Sequence, residues 1–170
     1  LLDAGSALTC GSGDVDGGQL VVKGNLTCAT DLIVTNGGSF YVYSGPTNGT
    51  PYAHGALVTV SGNLGVAPAS WVYPYSDPVN GGSPLFRLRN LSVAANGGFS
   101  AVGTGYQVGQ GPGSRPRNFD KASGGSHGGK GGLGSDHQYV SPAYGSSNAP
   151  VDAGSGAMIP YALYIYNTGP

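Results

Sequence analysis

Apolar and β-branched residues in this chain come in short runs, and turn residues punctuate almost every one of them. The runs are Leu20-Val21-Val22, Leu32-Ile33-Val34, Phe40-Tyr41-Val42-Tyr43, Ala56-Leu57-Val58-Thr59-Val60, Trp71-Val72-Tyr73, Leu85-Phe86-Arg87-Leu88 and Leu91-Ser92-Val93. Each predicts a strand. With 33 glycines and 12 prolines, few windows of a dozen residues escape a breaker, and glutamate is absent, so helix is nearly excluded. What such text can fold into is an all-β structure of many short strands.

Two passages repeat imperfectly. Asn25-Leu26 leads to Leu32-Ile33-Val34-Thr35-Asn36-Gly37-Gly38-Ser39-Phe40, and Asn90-Leu91 leads to Val93-Ala94-Ala95-Asn96-Gly97-Gly98-Phe99-Ser100. Between them, Val58-Thr59-Val60-Ser61-Gly62-Asn63-Leu64-Gly65-Val66 again sets an apolar run before a Gly-Asn turn. The Asn-Gly pairs at 36, 80 and 96 supply positive φ at little steric cost. In hairpins they would form type I′ turns. In a coil of parallel strands they would mark corners. The runs are short and unevenly spaced, and the repeat is longer than one hairpin, which favours the coil: a right-handed parallel β-helix with a glycine-rich loop, whose rungs stack about 4.8 Å apart. The alternative is a Greek-key β-sandwich, which also uses several closely spaced strands.

At 170 residues the chain has the size of one domain and reads as a single β domain over 1–170, part of a longer protein. It starts at Leu1 rather than Met, which predicts removal of an upstream segment. Eight aspartates oppose seven Lys and Arg, a balance that creates no strong field for nucleic acid. The longest apolar stretch, Met158 to Tyr166, is broken by Pro160 and is far short of the roughly 20 residues that cross a bilayer, so no membrane insertion is expected. Cys10 and Cys28 are the only cysteines. In a chain of this surface-protein composition they predict a disulfide, closing a loop worth roughly 3 kcal/mol. Asn25-Leu-Thr27, Asn48-Gly-Thr50 and Asn90-Leu-Ser92 are acceptors for N-glycans in a secretory pathway.

After Tyr106 the composition shifts to glycine, serine and scattered charge, giving a glycine-rich excursion over 107–138. Apolar and aromatic residues return in the tail, where Tyr161-Ala162-Leu163-Tyr164-Ile165-Tyr166 predicts a strand, so the excursion is a long loop rather than a terminus. Gly124-Gly125-Ser126-His127-Gly128-Gly129-Lys130-Gly131-Gly132, then Tyr144-Gly145-Ser146, Pro150 and Gly154-Ser155-Gly156, resembles a signature of large glycine-rich parallel β-helix proteins that are secreted or displayed on surfaces. Asn96 to Tyr106 is similar to the strand and turn that lead into it. Over roughly the last 80 residues, the resemblance implies a β-helix carrying an ordered glycine-rich excursion, in proteins whose roles are mostly adhesive, structural or unknown. It implies no catalytic residue.

Candidate sites are sparse. His127, Asp136 and His137 have the residue types of a zinc site, but their spacing matches no standard ligand pattern. Asp14-Val-Asp16-Gly17 resembles part of a calcium loop yet has no closing glutamate, so a simple Asx turn is favoured. Asp120 with Arg115, Arg117 and Lys121 is the one dense charge group, and a loop ion-pair network accounts for it. Ser126-His127 and Asp136-His137 fall short of a triad. No catalytic residue, metal or cofactor is assigned. Tyr41 and Tyr43 alternate, as do Trp71, Tyr73 and Tyr75, so each set points to one face of its strand. Brought together outside the core they would form an aromatic strip for sugar rings or another subunit; the expectation set against it, and favoured, is an internal aromatic stack or a cover beneath the glycine-rich loop.

The leading expectation is a non-enzymatic extracellular or cell-surface module, structural or adhesive, whose partners are copies of itself, other surface proteins or glycans. A carbohydrate-binding module using the five aromatics is the second reading. A polysaccharide lyase or glycosidase on a β-helix is the third.

Overall fold

The computed structural model describes residues 6–47, 54–114, 124–133, 141–146 and 152–157, and among them there is no helix. Nine strands form: β1 (Ser6–Cys10), β2 (Gly13–Asp16), β3 (Gln19–Cys28), β4 (Leu32–Thr35), β5 (Ser39–Tyr43), β6 (Ala56–Val66), β7 (Trp71–Tyr75), β8 (Pro84–Val93) and β9 (Gly98–Phe99). All seven apolar runs singled out in the sequence lie in strands. Every pairing between these strands is parallel, which departs from the antiparallel pairs of a Greek-key sandwich.

The chain forms two compact units, one from residues 1–77 and 82–104, the other from residues 78–81 and 105–170. The first holds all nine strands, and their registers fall into three rows. In the first row Leu8, Leu26, Val58 and Phe86 are successive partners. In the second, Gly13, Leu32, Leu64 and Leu91 follow one another. In the third the sequence is Leu20, Phe40, Val72 and Phe99. The chain passes through rows one, two and three in that order, then returns to row one. It does so because β3, β6 and β8 are long enough to serve two positions each: β3 gives its first half to the third row and its second half to the first, while β6 and β8 span the first and second rows with a register shift between Val60 and Asn63.

Alternation along each strand decides what is buried. β5 buries Phe40 and Val42, β6 buries Val58, Val60, Leu64 and Val66, and β4 buries Leu32 and Val34. Because partners are in register, these residues stack in columns across rows, and the core is a set of Val, Leu and Phe columns rather than a single layer. Corners are set by backbone conformation. Gly17, Gly37, Ala69 and Asn96 all have positive φ and all lie two residues before the third row begins in their pass. The Asn-Gly pairs at 36 and 96 therefore turn corners between parallel strands and do not close hairpins. In two of the passes this corner leaves no room for a side chain: a Cβ on Gly38 would collide with the carbonyl oxygen of Val15, and one on Gly97 with that of Ala67, whereas the pass between them buries Ser70 at the same position.

In the second unit the described residues form no strand. Its glycine-rich backbone is ordered by cross-links: Tyr106 N donates to Gly154 O, Gly156 N to Gln110 O, Ser126 N to Gly113 O and Gly124 N to Gly132 O, all at 3.0–3.1 Å. A side chain would be excluded at several of these crossings; a Cβ on Gly105 would lie 2.6 Å from Gly154 O.

Candidate contact surface

The third row carries the aromatic residues. In β5 and β7 the core takes Phe40, Val42 and Val72, so the alternate residues Tyr41, Tyr43, Trp71, Tyr73 and Tyr75 face the other way. Register then aligns them: Tyr41 opposite Tyr73, Tyr43 opposite Tyr75. The ring centroids of Tyr41 and Tyr73 are 4.7 Å apart with planes 12° from parallel, and those of Tyr43 and Tyr75 are 4.5 Å apart at 19°. Tyr41 also reaches Tyr75 diagonally at 6.4 Å. All four are half-buried, so the stack stands on the outward face of the row and is not internal. Val21 and Lys23 continue the two columns under Tyr41 and Tyr43. Burial, then the neighbouring rings of Tyr75 and Tyr41, pushes the Tyr43 phenol above its ordinary value.

Trp71 heads a third outward column, Gln19, Ser39, Trp71, Gly98. Gly98 has no side chain, and the indole occupies that space, 3.2 Å from where a Cβ would stand. Pro74, which has no amide to donate, lies in β7 beyond the two residues that β9 pairs.

Within each pair the two facing ring surfaces are taken up by one another, while β9 pairs only Trp71 and Val72, so among the described residues Tyr73 and Tyr75 have no register partner on their far side. The ladder presents phenol edges and closely packed ring area on the outward face of the third row.

Cys10 and Cys28 are register partners on β1 and β3, their sulfurs 2.9 Å apart and not bonded. Cys28 is buried, and burial, then Cys10, pushes its thiol up to about 12. Of the sequon asparagines, Asn25 is exposed and accepts the Leu57 amide at 2.8 Å, and Asn90 is exposed and donates to Asn63 Oδ1 at 2.8 Å; Asn48 lies outside the described residues.

Asp14 and Asp16 are in strand β2 and not in an Asx turn; the turn is made by Gly17, and Asp16 accepts a hydrogen bond from Asn36. Asp120, Arg115, Arg117, Lys121, Asp136, His137 and the 161–166 run lie outside the described residues. Among the described residues no group of three His, Cys, Asp or Glu could hold a metal ion, and no helix is long and apolar enough to cross a membrane. His127 stands edge-on to Tyr144, centroids 5.0 Å apart at 88°.

Two polar systems escaped the sequence reading. Asp31 accepts from Asn63 N at 2.6 Å and Asn63 Nδ2 at 3.1 Å, and Asn90 then bonds Asn63, so a polar ladder climbs the corner before the second row. Its signal was present: each member directly precedes a leucine of one column, Leu32, Leu64 or Leu91. In the second unit Ser155 Oγ donates to the Tyr144 hydroxyl and receives Gly113 N, while Ser126 Oγ donates to Pro142 O. No protein-family model, no curated protein and no solved structure matches this chain.

Proposed function

We propose that this chain is an extracellular structural or adhesive module, folded as a right-handed parallel β-helix, whose tyrosine face is its contact surface. Four passes through three parallel rows support the coil, because parallel neighbours need crossovers and a chain that keeps crossing in one sense winds. The right-handed sense follows the general preference of parallel crossovers. The resemblance of the glycine-rich segment to surface β-helix proteins points the same way.

The observation that carries the functional reading is the outward tyrosine ladder. Four phenols in register, away from the core, are not needed to fill it, and they form a stiff surface for another protein. An oxidising compartment suits the cysteines: parallel neighbours sit about 4.8 Å apart, within the Cα span of a disulfide. Sequon asparagines 25 and 90 are exposed, as acceptors must be.

Antibody against the chain, applied to intact unpermeabilised source cells and to their medium, should label the surface or detect secreted protein. Signal confined to permeabilised cells would overturn the extracellular reading. For the contact surface, a Tyr41→Ser, Tyr43→Ser, Tyr73→Ser, Tyr75→Ser variant should lose at least about tenfold in retention of coated beads on those cells, a change equivalent to 1.4 kcal/mol. Unchanged retention would remove the tyrosine face from the account.

A second reading rests on Trp71, whose indole is not part of the stacked tyrosine pairs and lies over a glycine. Glycan-array binding abolished by Trp71→Ala would support a carbohydrate module, and an empty array would exclude it.

A further inference from the structure

The first unit ends in open strand edges at both limits of its rows. Among the described strands, β1 and β2 pair on one side only, and so do β8 and β9 on the other. Gly13 and Gly17 donate their amides to Asp31 and Thr35, so alternation turns the amides of Asp14 and Asp16 toward the unpaired edge. Such edges are templates for another strand.

The apolar columns are open at the same two limits. At the β1–β2 limit a cavity of about 450 Å³ is lined by Leu8, Cys10, Gly13, Val15, Leu20 and Leu32. At the β8–β9 limit the last members of three columns stand exposed: Leu91 at 52 %, Val93 at 44 % and Phe99 at 37 %. The two limits are complementary. Leu91 extends the column that begins at Gly13, which has no side chain to obstruct it; Val93 extends the one begun by Val15, and Phe99 the one begun by Leu20. Charge does not oppose this register: Asp14 of one copy would lie over Ser92 of the next and Thr9 over Arg87, so no like charges meet in these columns. Three edges at different orientations demand an occupant with three parallel strands in the same register. A lone peptide would satisfy one edge; a copy of this unit satisfies all three.

We infer that a second copy of this chain docks head to tail, its β1–β2 limit on the β8–β9 limit of the first. The contact is heterologous, so it repeats and builds a filament. The inference rests on the proposed coil and supplies the partner that a structural module needs.

The test is sedimentation of the full chain over a concentration series. Wild type should show species at integer multiples of 16.9 kDa that grow with concentration. Leu91→Asp blocks one limit, and Asp14→Pro blocks the other by removing an outward amide without touching the bonds to β4; each should weaken association at least tenfold while leaving the circular dichroism spectrum unchanged. Each variant keeps one intact limit, so an equimolar mixture should form dimers and nothing longer. A wild type that is monomeric at every concentration, whether chain flanking β1 covers the edge or solvent does, overturns the inference; so does a mixture that fails to pair, which would mean like ends meet. Cell-surface labelling is read independently: a labelled surface with a monomeric protein refutes the stacking alone, and an unlabelled surface with intact stacking refutes the extracellular reading alone.

Discussion

Leu64 and Leu91 are neighbours in one column, yet Leu64 is completely buried and Leu91 is 52 % exposed, which makes them a matched pair for testing column packing. Leu64→Ala removes three methylene-sized groups from the core, a transfer loss of about 2.4 kcal/mol at ~0.8 per group. The flanking column members Leu32 and Leu91 are held by their own strands and cannot collapse fully, so a residual cavity raises the cost to roughly 3–4 kcal/mol. Leu91→Ala forfeits about half the transfer energy and encloses no cavity, for about 1 kcal/mol. A unit of this size has on the order of 5–15 kcal/mol to lose, so both variants remain folded and measurable. Urea unfolding followed by fluorescence of Trp71, the single tryptophan, reads both. Equal costs within about 0.5 kcal/mol, or a Leu64→Ala cost below about 1.5 kcal/mol, would refute the stacked columns.

Gly38→Ala should cost about 3 kcal/mol or more, because its Cβ meets the Val15 carbonyl, whereas Gly11→Ala, with nothing within 4 Å, should be nearly neutral; thermal melts of the two decide it. Asp31→Ala strips the acceptor from both nitrogens of Asn63 and should cost roughly 1–3 kcal/mol by urea titration. A double-mutant cycle on Tyr41 and Tyr73 should return a coupling of about 0.5–1.5 kcal/mol, and none if the rings do not stack. For the reduced protein, the buried Cys28 thiol stays protonated up to about 12 while an unfolded thiol ionises from about 9. The unfolded chain thus binds fewer protons across that window, and stability present below pH 9 falls as pH rises toward 12. Alkaline melts should show a steeper fall for the reduced form than for the oxidised form or for Cys28→Ser, in which the raised Tyr43 phenol still contributes in the same sense.

Strand positions were legible because alternation and punctuation are local signals; pairing partners were less so. The Asn36-Gly37-Gly38 and Asn96-Gly97-Gly98 passages do occupy the same corner, and Phe40 and Phe99 do share a column. The other half of that repeat misaligns, since Asn25 belongs to the first row and Asn90 pairs with Asn63 in the second. Two Asn-Leu dipeptides look alike in text while sitting on different faces. β1 and β2 were not legible because Ser6–Cys10 and Gly13–Asp16 are short and hold no run of branched or aromatic residues, and they become strands through pairing with β3 and β4. The aromatic strip was legible on each strand from alternation alone. Its stacking was not, because 32 residues separate Tyr41 from Tyr73 and only register brings them together.

The central claim is that one chain passes repeatedly through three parallel rows, and backbone nuclear Overhauser contacts test it most directly. The account predicts amide contacts of the parallel type linking Thr9 to Thr27, Thr27 to Thr59 and Thr59 to Arg87 in one unbroken series, with Val15, Val34, Val66 and Val93 forming a second. Antiparallel α-proton contacts between sequential strands such as β4 and β5 would contradict it.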